Sequence, residues 1–419
     1  MQITAVVSPK TTFSRQIVFA VCLICYIGGG LVSTLMSVYL PVVVRDLMGG
    51  VSEAELGRVG AYIGSVYLFG WMLGGIGFGF AGDSIGRVKA FTTAVLLYSV
   101  FTILTGFSTS WAMVIVCRFI TGIGVGAVLV LATILVSETW PAKTKNIALG
   151  ILAIAFPIGI ISAGAINNLV SNWREAFFVG WIPFGMAIIA SLVLKESAQW
   201  TNMRSQARLQ TKPSSFSLLL EPAHRKNVWI GSLIFGAMLV GLWAIFSWMP
   251  TWIQSLFPSQ TSGQQERGIT MMLLGSGGII GGAISGFLSN TIGYRKTLLI
   301  TFAGSFVMCL ILFTTNTVFS TIIYLETALL ALFFGISQGT LSAYLPQLFP
   351  TFIRATATGF CFNLGRLATA TVVFFVGTLV AVLGGYGNAV LAFSVTFVIG
   401  FIVTWVAKDV KISASEGNG

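Results

Sequence analysis

The amino-acid sequence predicts an all-α membrane protein with twelve transmembrane helices, arranged as two parallel, pseudo-symmetric six-helix bundles. Three observations predict this class: the composition, the apolar segments and an internal repeat. The 419 residues are 56% hydrophobic and only 8% charged, whereas about a quarter of the residues in a soluble chain are charged. The mean hydropathy of +0.92 indicates that lipid surrounds most of this chain.

Twelve segments are long and apolar enough to cross the bilayer, because about 20 helical residues span its hydrocarbon core. The first six lie near 17–44, 59–81, 90–107, 111–136, 146–170 and 176–194. The second six lie near 228–252, 269–292, 298–315, 320–345, 356–381 and 386–407. The sequence therefore predicts a first bundle over 1–194, a polar cytoplasmic linker over 195–227 and a second bundle over 228–419.

The basic residues orient these spans, because Lys and Arg accumulate in cytoplasmic loops. Placing both termini inside assigns most of the 23 Lys and Arg residues to the cytoplasm. The net charge of +11 therefore marks one side of a membrane and does not predict a nucleic-acid partner. We expect a multi-pass protein of the bacterial cytoplasmic (inner) membrane, with both termini cytoplasmic.

Two loops of the first half recur in the second half. The segment GFAGDSIGRVKA at 79–90 returns as GFLSNTIGYRKT at 286–297. Likewise WPAKTKNIALG at 140–150 aligns with FPTFIRATATG at 349–359. An even number of spans per repeat makes the two halves parallel, which places a substrate site between them near the membrane midplane.

The first of these loops resembles the signature between spans two and three of the major facilitator superfamily. Its matching residues are Gly79, Gly82, Asp83, Gly86, Arg87 and Lys89. The resemblance implies the twelve-helix fold of that superfamily and a cytoplasmic gate, in which charged residues contact the ends of neighbouring helices. Four further charged residues at predicted cytoplasmic ends are assigned to the same gate: Glu138, Glu196, Arg295 and Arg354. An inert turn with solvated charges is the alternative.

Other stretches resemble the sialate:proton symporters and, more loosely, the sugar and aromatic-acid porters. They include 118–124, 137–141 and 359–366. This resemblance implies a secondary active transporter that moves a small organic anion, such as a sugar acid or another carboxylate, by proton symport with alternating access. A proton-independent facilitator or exchanger for a sugar or vitamin-like metabolite is the alternative, and a transporter-derived sensor is a remote one.

Three ionisable residues are predicted inside spans, where each charge costs at least about 2.5–3.5 kcal/mol. Arg118 and Arg366 are candidates to bind a carboxylate, because a guanidinium matches it in a bidentate geometry. Glu326 is the candidate proton carrier, and it lies close to the repeat position of Arg118. A purely structural role, tying helices together through backbone carbonyls, is the competing interpretation. Span one carries no acidic residue, unlike the proton-coupled relatives, so the coupling is open.

Uncharged polar and aromatic residues within the spans are expected to complete the substrate site. They are Gln338, Asn363, Tyr26 and Trp243, with Tyr67 and Trp248 as further candidates. Packing or interfacial anchoring is the alternative for the aromatic side chains.

An enzyme is not expected. Residues 335–339 match the pattern GxSxG, but they lie in an apolar helix, and the only histidine, His224, lies in the predicted linker. Nucleophilic chemistry of that kind needs a strand-to-helix turn and a histidine base. We expect no metal and no cofactor. The expected partners are a small-molecule substrate, a proton for a symporter and the lipid bilayer, and the protein is expected to function as a monomer.

Overall fold

The computed structural model describes residues 11–50, 52–141, 143–196, 221–258, 263–350 and 353–407. Among these residues the chain is almost entirely helical and forms no strand. Within the described part of the chain, eleven helices are long and apolar enough to cross a membrane, and one bent pair of helices, counted as one span, brings the number to twelve. The predicted all-α fold with twelve spans is confirmed.

The first half contains six spans. Spans 1 to 5 are the helices Thr11–Met48, Glu53–Ile85, Arg87–Gly106, Trp111–Thr139 and Lys145–Leu169. Span 6 consists of a short helix, a 3-10 turn and a longer helix: Trp173–Phe177, Phe178–Gly180 and Trp181–Val193. Several helices extend beyond the predicted apolar segments, because a helix continues where its sequence has already become polar.

The second half repeats this pattern. Spans 7 to 10 are the helices Pro222–Ser255, Gln264–Ile292, Tyr294–Thr315 and Ile322–Gln347. Span 11 is bent by 41° between Arg354–Val373 and Val376–Leu383, and span 12 comprises Tyr386–Phe393 and Val395–Val406. Span 7 begins inside the predicted linker, because Pro222 is well suited to the first turn of a helix. Residues 197–220 of that linker lie outside the described residues.

Because successive spans run in opposite directions, their ends lie at two opposite faces of the molecule. We call the face where span 1 begins and span 6 ends the linker face, and the opposite face, where span 1 ends, the distal face. At the linker face the carboxylate of Glu196 accepts from the backbone N–H of Val88 at 3.1 Å, which joins the end of span 6 to the start of span 3. At the distal face the indole N–H of Trp173 donates to Asp46 at 3.1 Å, which joins the start of span 6 to the end of span 1.

Glycines pack spans 2 and 4 together, and their repeat equivalents pack spans 8 and 10. A Cβ atom on Gly74 would lie 1.9 Å from the carbonyl oxygen of Ile123, and one on Gly281 would lie 2.2 Å from that of Leu332. No side chain fits at such distances, so the helix backbones touch. Gly335 makes the same kind of contact with span 8. The GxSxG pattern at 335–339 is therefore explained by helix packing.

Candidate substrate site

Spans 5 and 8 bind each other at the distal face. The side-chain amide of Asn167 donates to the carbonyl of Gln264 at 2.6 Å, and that of Gln264 donates to the carbonyl of Asn167 at 2.5 Å. One helical turn inward, a Cβ on Gly164 would lie 2.5 Å from the carbonyl oxygen of Gly268. The two halves are in backbone contact here.

Spans 2, 11 and 12 close the distal face on the opposite side of the molecule. A Cβ on Gly377 would lie 2.6 Å from both the backbone N and the Cα of Arg58. The phenol of Tyr386 donates to the carbonyl of Glu53 at 2.8 Å. The second part of the bent span 11 thus lies against the start of span 2.

Spans 5 and 8 diverge toward the linker face. A Cβ on Gly275, in the middle of span 8, would lie 2.9 Å from the carbonyl oxygen of Pro157 in span 5. Closer to the linker face, a Cβ on Gly150 of span 5 or on Gly282 of span 8 would meet nothing within 4 Å. A cleft between the halves is therefore closed at the distal face and widens toward the linker face.

Arg118 lies deep in the first half and is held by backbone groups of span 1. It is 2% exposed, donates to the carbonyls of Val32 at 2.9 Å and Ser33 at 3.4 Å, and stacks 4.2 Å above the ring of Tyr67. Such contacts are expected if Arg118 has a structural role and ties helices together through backbone carbonyls. Within the described residues its Nε has no hydrogen-bond partner.

A small cavity lies beside Arg118, between spans of both halves. It measures about 30 Å³ and its lining includes Tyr67, Trp243 and Trp248. About 10–15 Å³ of such space is enough for one water molecule, so the cavity is of the size of one or two waters and is too small for an organic anion. Trp243 and Arg118, both predicted site residues, thus line one small cavity.

Arg366 has a different environment. Its guanidinium donates to Oδ1 of Asn363 at 3.4 Å, and it interacts electrostatically with the phenol of Tyr26 across the cleft. All three side chains are only half-buried. Among the described residues, Asn363 is the one hydrogen-bond acceptor bound to this guanidinium. Three predicted substrate-binding residues, from both halves, therefore form one group.

Two other predicted site residues, Gln338 and Glu326, form no hydrogen bond with this group among the described residues. Gln338 is exposed on span 10. Glu326 accepts from the side-chain amide of Asn316 at 2.7 Å, and that amide also donates to the carbonyl of Leu312 at 3.0 Å. In the described part of the chain Glu326 does not pair with Arg118. It joins the distal ends of spans 9 and 10.

The predicted gate residues of the first half form one network at the linker face. Arg87, 6% exposed, pairs with Asp83 at 2.6 Å and with Glu138 at 3.4 Å. Glu196 accepts from the backbone N–H of Lys89 at 3.3 Å, at the positive end of the span 3 dipole.

Gly86 has the positive φ of 115° at the sharp turn before span 3, which only glycine adopts readily. A Cβ on this residue would also collide with Glu196. A Cβ on Gly82 would lie 2.7 Å from Leu131, whereas one on Gly79 would meet nothing within 4 Å. Gly79 is therefore the signature glycine without a packing role.

The second half lacks this charge network. At the repeat positions of Asp83, Arg87 and Glu138 stand Asn290, Tyr294 and Gln347. The amide of Gln347 donates to the phenol of Tyr294 at 2.9 Å, so a neutral hydrogen bond occupies the place of the ion pair.

The two basic residues assigned to the gate in the second half bind backbone carbonyls. Arg295 donates to the carbonyls of Thr404, at 3.3 Å, and Trp405 in span 12. Arg354 donates to that of Phe349 at 3.3 Å. These contacts hold the ends of helices within the second half.

Two features escaped the sequence reasoning. Arg267, which precedes the predicted apolar segment 269–292, is 2% exposed and donates to the side chain of Gln254. The helix of span 8 begins at Gln264, five residues before the predicted apolar segment. Arg267 is therefore a buried residue of this helix. The second feature is an aromatic cluster around Trp71, to which no sequence motif points.

Comparison with known proteins identifies the family. Residues 21–373 match the profile of the Major Facilitator Superfamily. The chain is similar to the cis,cis-muconate transport protein of Acinetobacter baylyi, with 29% identity over 76% of this chain and 78% of that protein. It is also 29% identical to the sialic acid transporter NanX of Escherichia coli, over 72% of this chain and 73% of that protein.

The fold agrees with that of solved transporters. The xylose transporter XylE of E. coli in an inward open conformation superposes with a TM-score of 0.77 at 16% identity, covering 96% of this chain and 98% of XylE. The predicted resemblance to the superfamily, and to its sialate and aromatic-acid branches, is confirmed. The fold and the relatives are those of transporters and not of enzymes.

Proposed function

This chain belongs to the major facilitator superfamily, and we propose that it carries a small organic anion with a carboxylate group across the membrane by alternating access. The observation that carries the proposal is the half-buried Arg366, with Asn363 and Tyr26 beside it, in the cleft between the halves. A half-buried guanidinium with free N–H groups favours a carboxylate, which it can bind through two parallel hydrogen bonds. The names of the relatives, muconate and sialic acid transporters, support the same class of substrate.

Arg118 contributes differently in this proposal. Its guanidinium is already held by two carbonyls of span 1, so it fixes the geometry of the first half and adds positive potential near the cleft. Gln338 and Trp243 approach the substrate only when the cleft rearranges. The anion therefore depends most on Arg366.

Alternating access follows from the two faces. We infer that the bundles 1–194 and 228–419, joined by the linker 195–227, rock about the substrate, so that the distal contacts break when the linker face closes. The positive-inside rule assigns the linker face and both termini to the cytoplasm of a bacterial inner membrane. Each chain carries residues of both halves of the site, which supports a functional monomer.

The variant Arg366→Gln tests the anion site. Because a hydrogen bond to a charged group contributes about 1.5–3 kcal/mol, we expect the affinity for carboxylates to fall by about 10- to 100-fold while the protein still folds. Binding is measured by a thermal-shift screen of the purified protein against sugar acids, monocarboxylates, sugars and vitamins, followed by counterflow uptake in proteoliposomes. Arg45→Gln, an exposed arginine at the distal end of span 1, is the control. Unchanged carboxylate binding by Arg366→Gln would rule out this site.

Energy coupling has two candidates. Proton symport through Glu326, the acidic residue predicted inside a span, is the first. Proton-independent exchange is the second, and it is favoured by the hydrogen bond of Glu326 to Asn316 at the distal ends of spans 9 and 10, away from Arg366.

The variant Glu326→Gln separates the two candidates. Symport through Glu326 predicts that the wild type accumulates substrate when a proton gradient is imposed, and that this variant loses that accumulation but keeps counterflow. Proton-independent exchange predicts no proton-driven accumulation in either protein and unchanged counterflow. Both rates are measured in the same proteoliposomes, with and without an imposed pH gradient. Preserved accumulation would exclude Glu326 as the proton carrier.

A further inference from the structure

Polar side chains from three spans line the small cavity beside Arg118. Ser37 of span 1 and Ser247 of span 7 lie at this cavity together with Arg118 of span 4. Ser37 is buried and Ser247 is half-buried. Within the part of the chain that the structure describes, neither serine hydroxyl has a hydrogen-bond partner. Since buried hydroxyl groups are nearly always hydrogen-bonded, these two groups indicate a bound species in the cavity.

Two other hydroxyl groups at the cavity are already engaged. Ser33 donates to the carbonyl of Gly29 at 2.5 Å, and its oxygen is also hydrogen-bonded to the phenol of Tyr67. A hydroxyl group has one proton, so Ser33 is the acceptor in this second bond and the phenol is the donor. The protons that can reach a bound species therefore come from Ser37, Ser247 and Arg118.

The charge of Arg118 lacks a carboxylate partner. Its side chain is 2% exposed and forms no ion pair among the described residues. Two of the five N–H groups of a guanidinium are used here, by the carbonyls of Val32 and Ser33. Burying an unpaired charge is unfavourable. Water can complete the hydrogen bonds but leaves this charge in place, whereas an anion can do both.

The size of the cavity selects among anions. About 30 Å³ admits a monatomic anion and excludes a carboxylate with its carbon skeleton. On the distal side the cavity is closed, because a Cβ on Gly60 would lie 2.9 Å from the side chains of both Leu40 and Trp248. No larger ligand enters from that side in this conformation.

Toward the linker face, aromatic side chains of spans 2, 5 and 7 cover the cavity. Trp243 of span 7 lines it, and its ring lies 5.1 Å from that of Trp71 of span 2. Trp71 in turn lies 5.6 Å from Phe156 of span 5. These rings separate the cavity from the wider part of the cleft, so a charge inside it is poorly screened by water.

We infer that this cavity binds a monatomic anion, chloride, between Arg118, Ser37 and Ser247. Arg118 and Ser37 belong to the first half and Ser247 to the second, so the anion joins the two halves. Chloride therefore binds while the distal face is closed and stabilises that conformation. Arg366 takes no part in this site, which is independent of the proposed carboxylate site.

Thermal unfolding of the purified full-length protein tests the chloride site. Sodium chloride replaces sodium sulfate in steps at constant ionic strength, without any carboxylate present. Sulfate is too large for the cavity, and it stabilises proteins in general because it is excluded from their surface. We expect the unfolding temperature to rise as chloride replaces sulfate and to level off once the site is saturated. Isothermal titration calorimetry with sodium chloride gives the affinity.

The serine variants Ser37→Ala and Ser247→Ala locate the site. Each is expected to weaken chloride binding by about 10- to 100-fold, the effect of losing one hydrogen bond to a charged group. In sulfate alone both are expected to unfold close to the wild-type temperature, because the deleted hydroxyl has no protein partner. Ser65→Ala is the matched control. Ser65 is fully buried in span 2, its hydroxyl is unpartnered within the described residues, and it does not line the cavity.

The outcomes separate chloride from water and from the carboxylate site. An unfolding temperature that does not rise with chloride, together with no heat of binding, would mean that the cavity holds water only. Wild-type chloride affinity in both serine variants would overturn the location. Arg366→Gln is expected to keep the full chloride response whatever happens to its carboxylate binding. Loss of the response in that variant would place chloride at Arg366 and overturn the separate site.

Discussion

At the distal face the two halves touch backbone to backbone, whereas at the linker face the network of Arg87 joins helices of a single half. The distal contacts depend on small residues and amides, such as Gly377 against Arg58 and Asn167 against Gln264. The linker-face network depends on charge, through Arg87 and its acidic partners. In this state, contacts between the two halves hold the distal face closed. The contacts at the open linker face lie within one half.

The linker face shows a second contrast between the halves. Arg87 with Glu138 in the first half corresponds to Tyr294 with Gln347 in the second. Glycines pack span 2 against span 4 and span 8 against span 10 in the same way, so a side-chain contact is present at the linker-face end of each pair. Charge is found at only one of them, so we expect the first half to dominate the energetics of this face.

The largest effect is expected from Arg87→Gln. Removing one member of a buried ion pair costs about 3–5 kcal/mol, because Glu138, whose side chain is only 10% exposed, loses its guanidinium partner. Thermal unfolding of the purified protein in detergent measures the loss. Arg58→Gln is the matched control, since its pair with Glu55 is solvent-exposed and such pairs contribute about 0–1 kcal/mol. Equal losses in the two variants would contradict a charge-dependent linker face.

A smaller effect, on the distal face, is expected from Gly377→Ala. The added Cβ meets the backbone of Arg58 at 2.6 Å, which cannot yield as a flexible side chain can. Overpacking costs about 1–3 kcal/mol, here only in the state with the distal face closed, so the population shifts toward distal opening.

Spin labels detect this shift as a longer distance across the distal face. Leu169 at the end of span 5 and Val318 between spans 9 and 10, both exposed, are suitable sites for cysteine labelling. The five native cysteines are buried and react little. Gly286→Ala, where a Cβ meets nothing within 4 Å, serves as the control. An unchanged distance distribution in Gly377→Ala would show that this contact does not hold the face closed.

Hydropathy and the repeat were sufficient to predict the fold. Twelve segments of bilayer length follow from the order of apolar residues along the chain, and the two recurring loops predict parallel halves. The structure adds the reason for the glycines: Gly74 and Gly281 make equivalent backbone contacts in the two halves. A linear sequence shows that these glycines recur, but the distance that requires them exists only between helices.

The candidate site was less predictable. Sequence identifies Arg118 and Arg366 as equal candidates, because both are cations inside apolar helices. Their difference depends on neighbours from other spans: two carbonyls of span 1 hold Arg118, whereas Arg366 has Asn363 of its own helix and Tyr26 across the cleft. The aromatic cluster is likewise assembled from three distant spans, and no local spacing reveals it.

The smallest effect is expected from Tyr294→Phe, which removes the neutral counterpart of the Arg87 network. The ring keeps its contact with Tyr344, and only the hydrogen bond to the exposed Gln347 is lost. A neutral hydrogen bond contributes about 0.5–1.5 kcal/mol, and water can replace the phenol, so the lower end applies. Thermal unfolding under the conditions used for Arg87→Gln gives the comparison. Because the two networks lie in different halves, the double variant should equal the sum of the single variants within about 0.5 kcal/mol. A larger coupling between them would mean that the two halves are joined at the linker face after all.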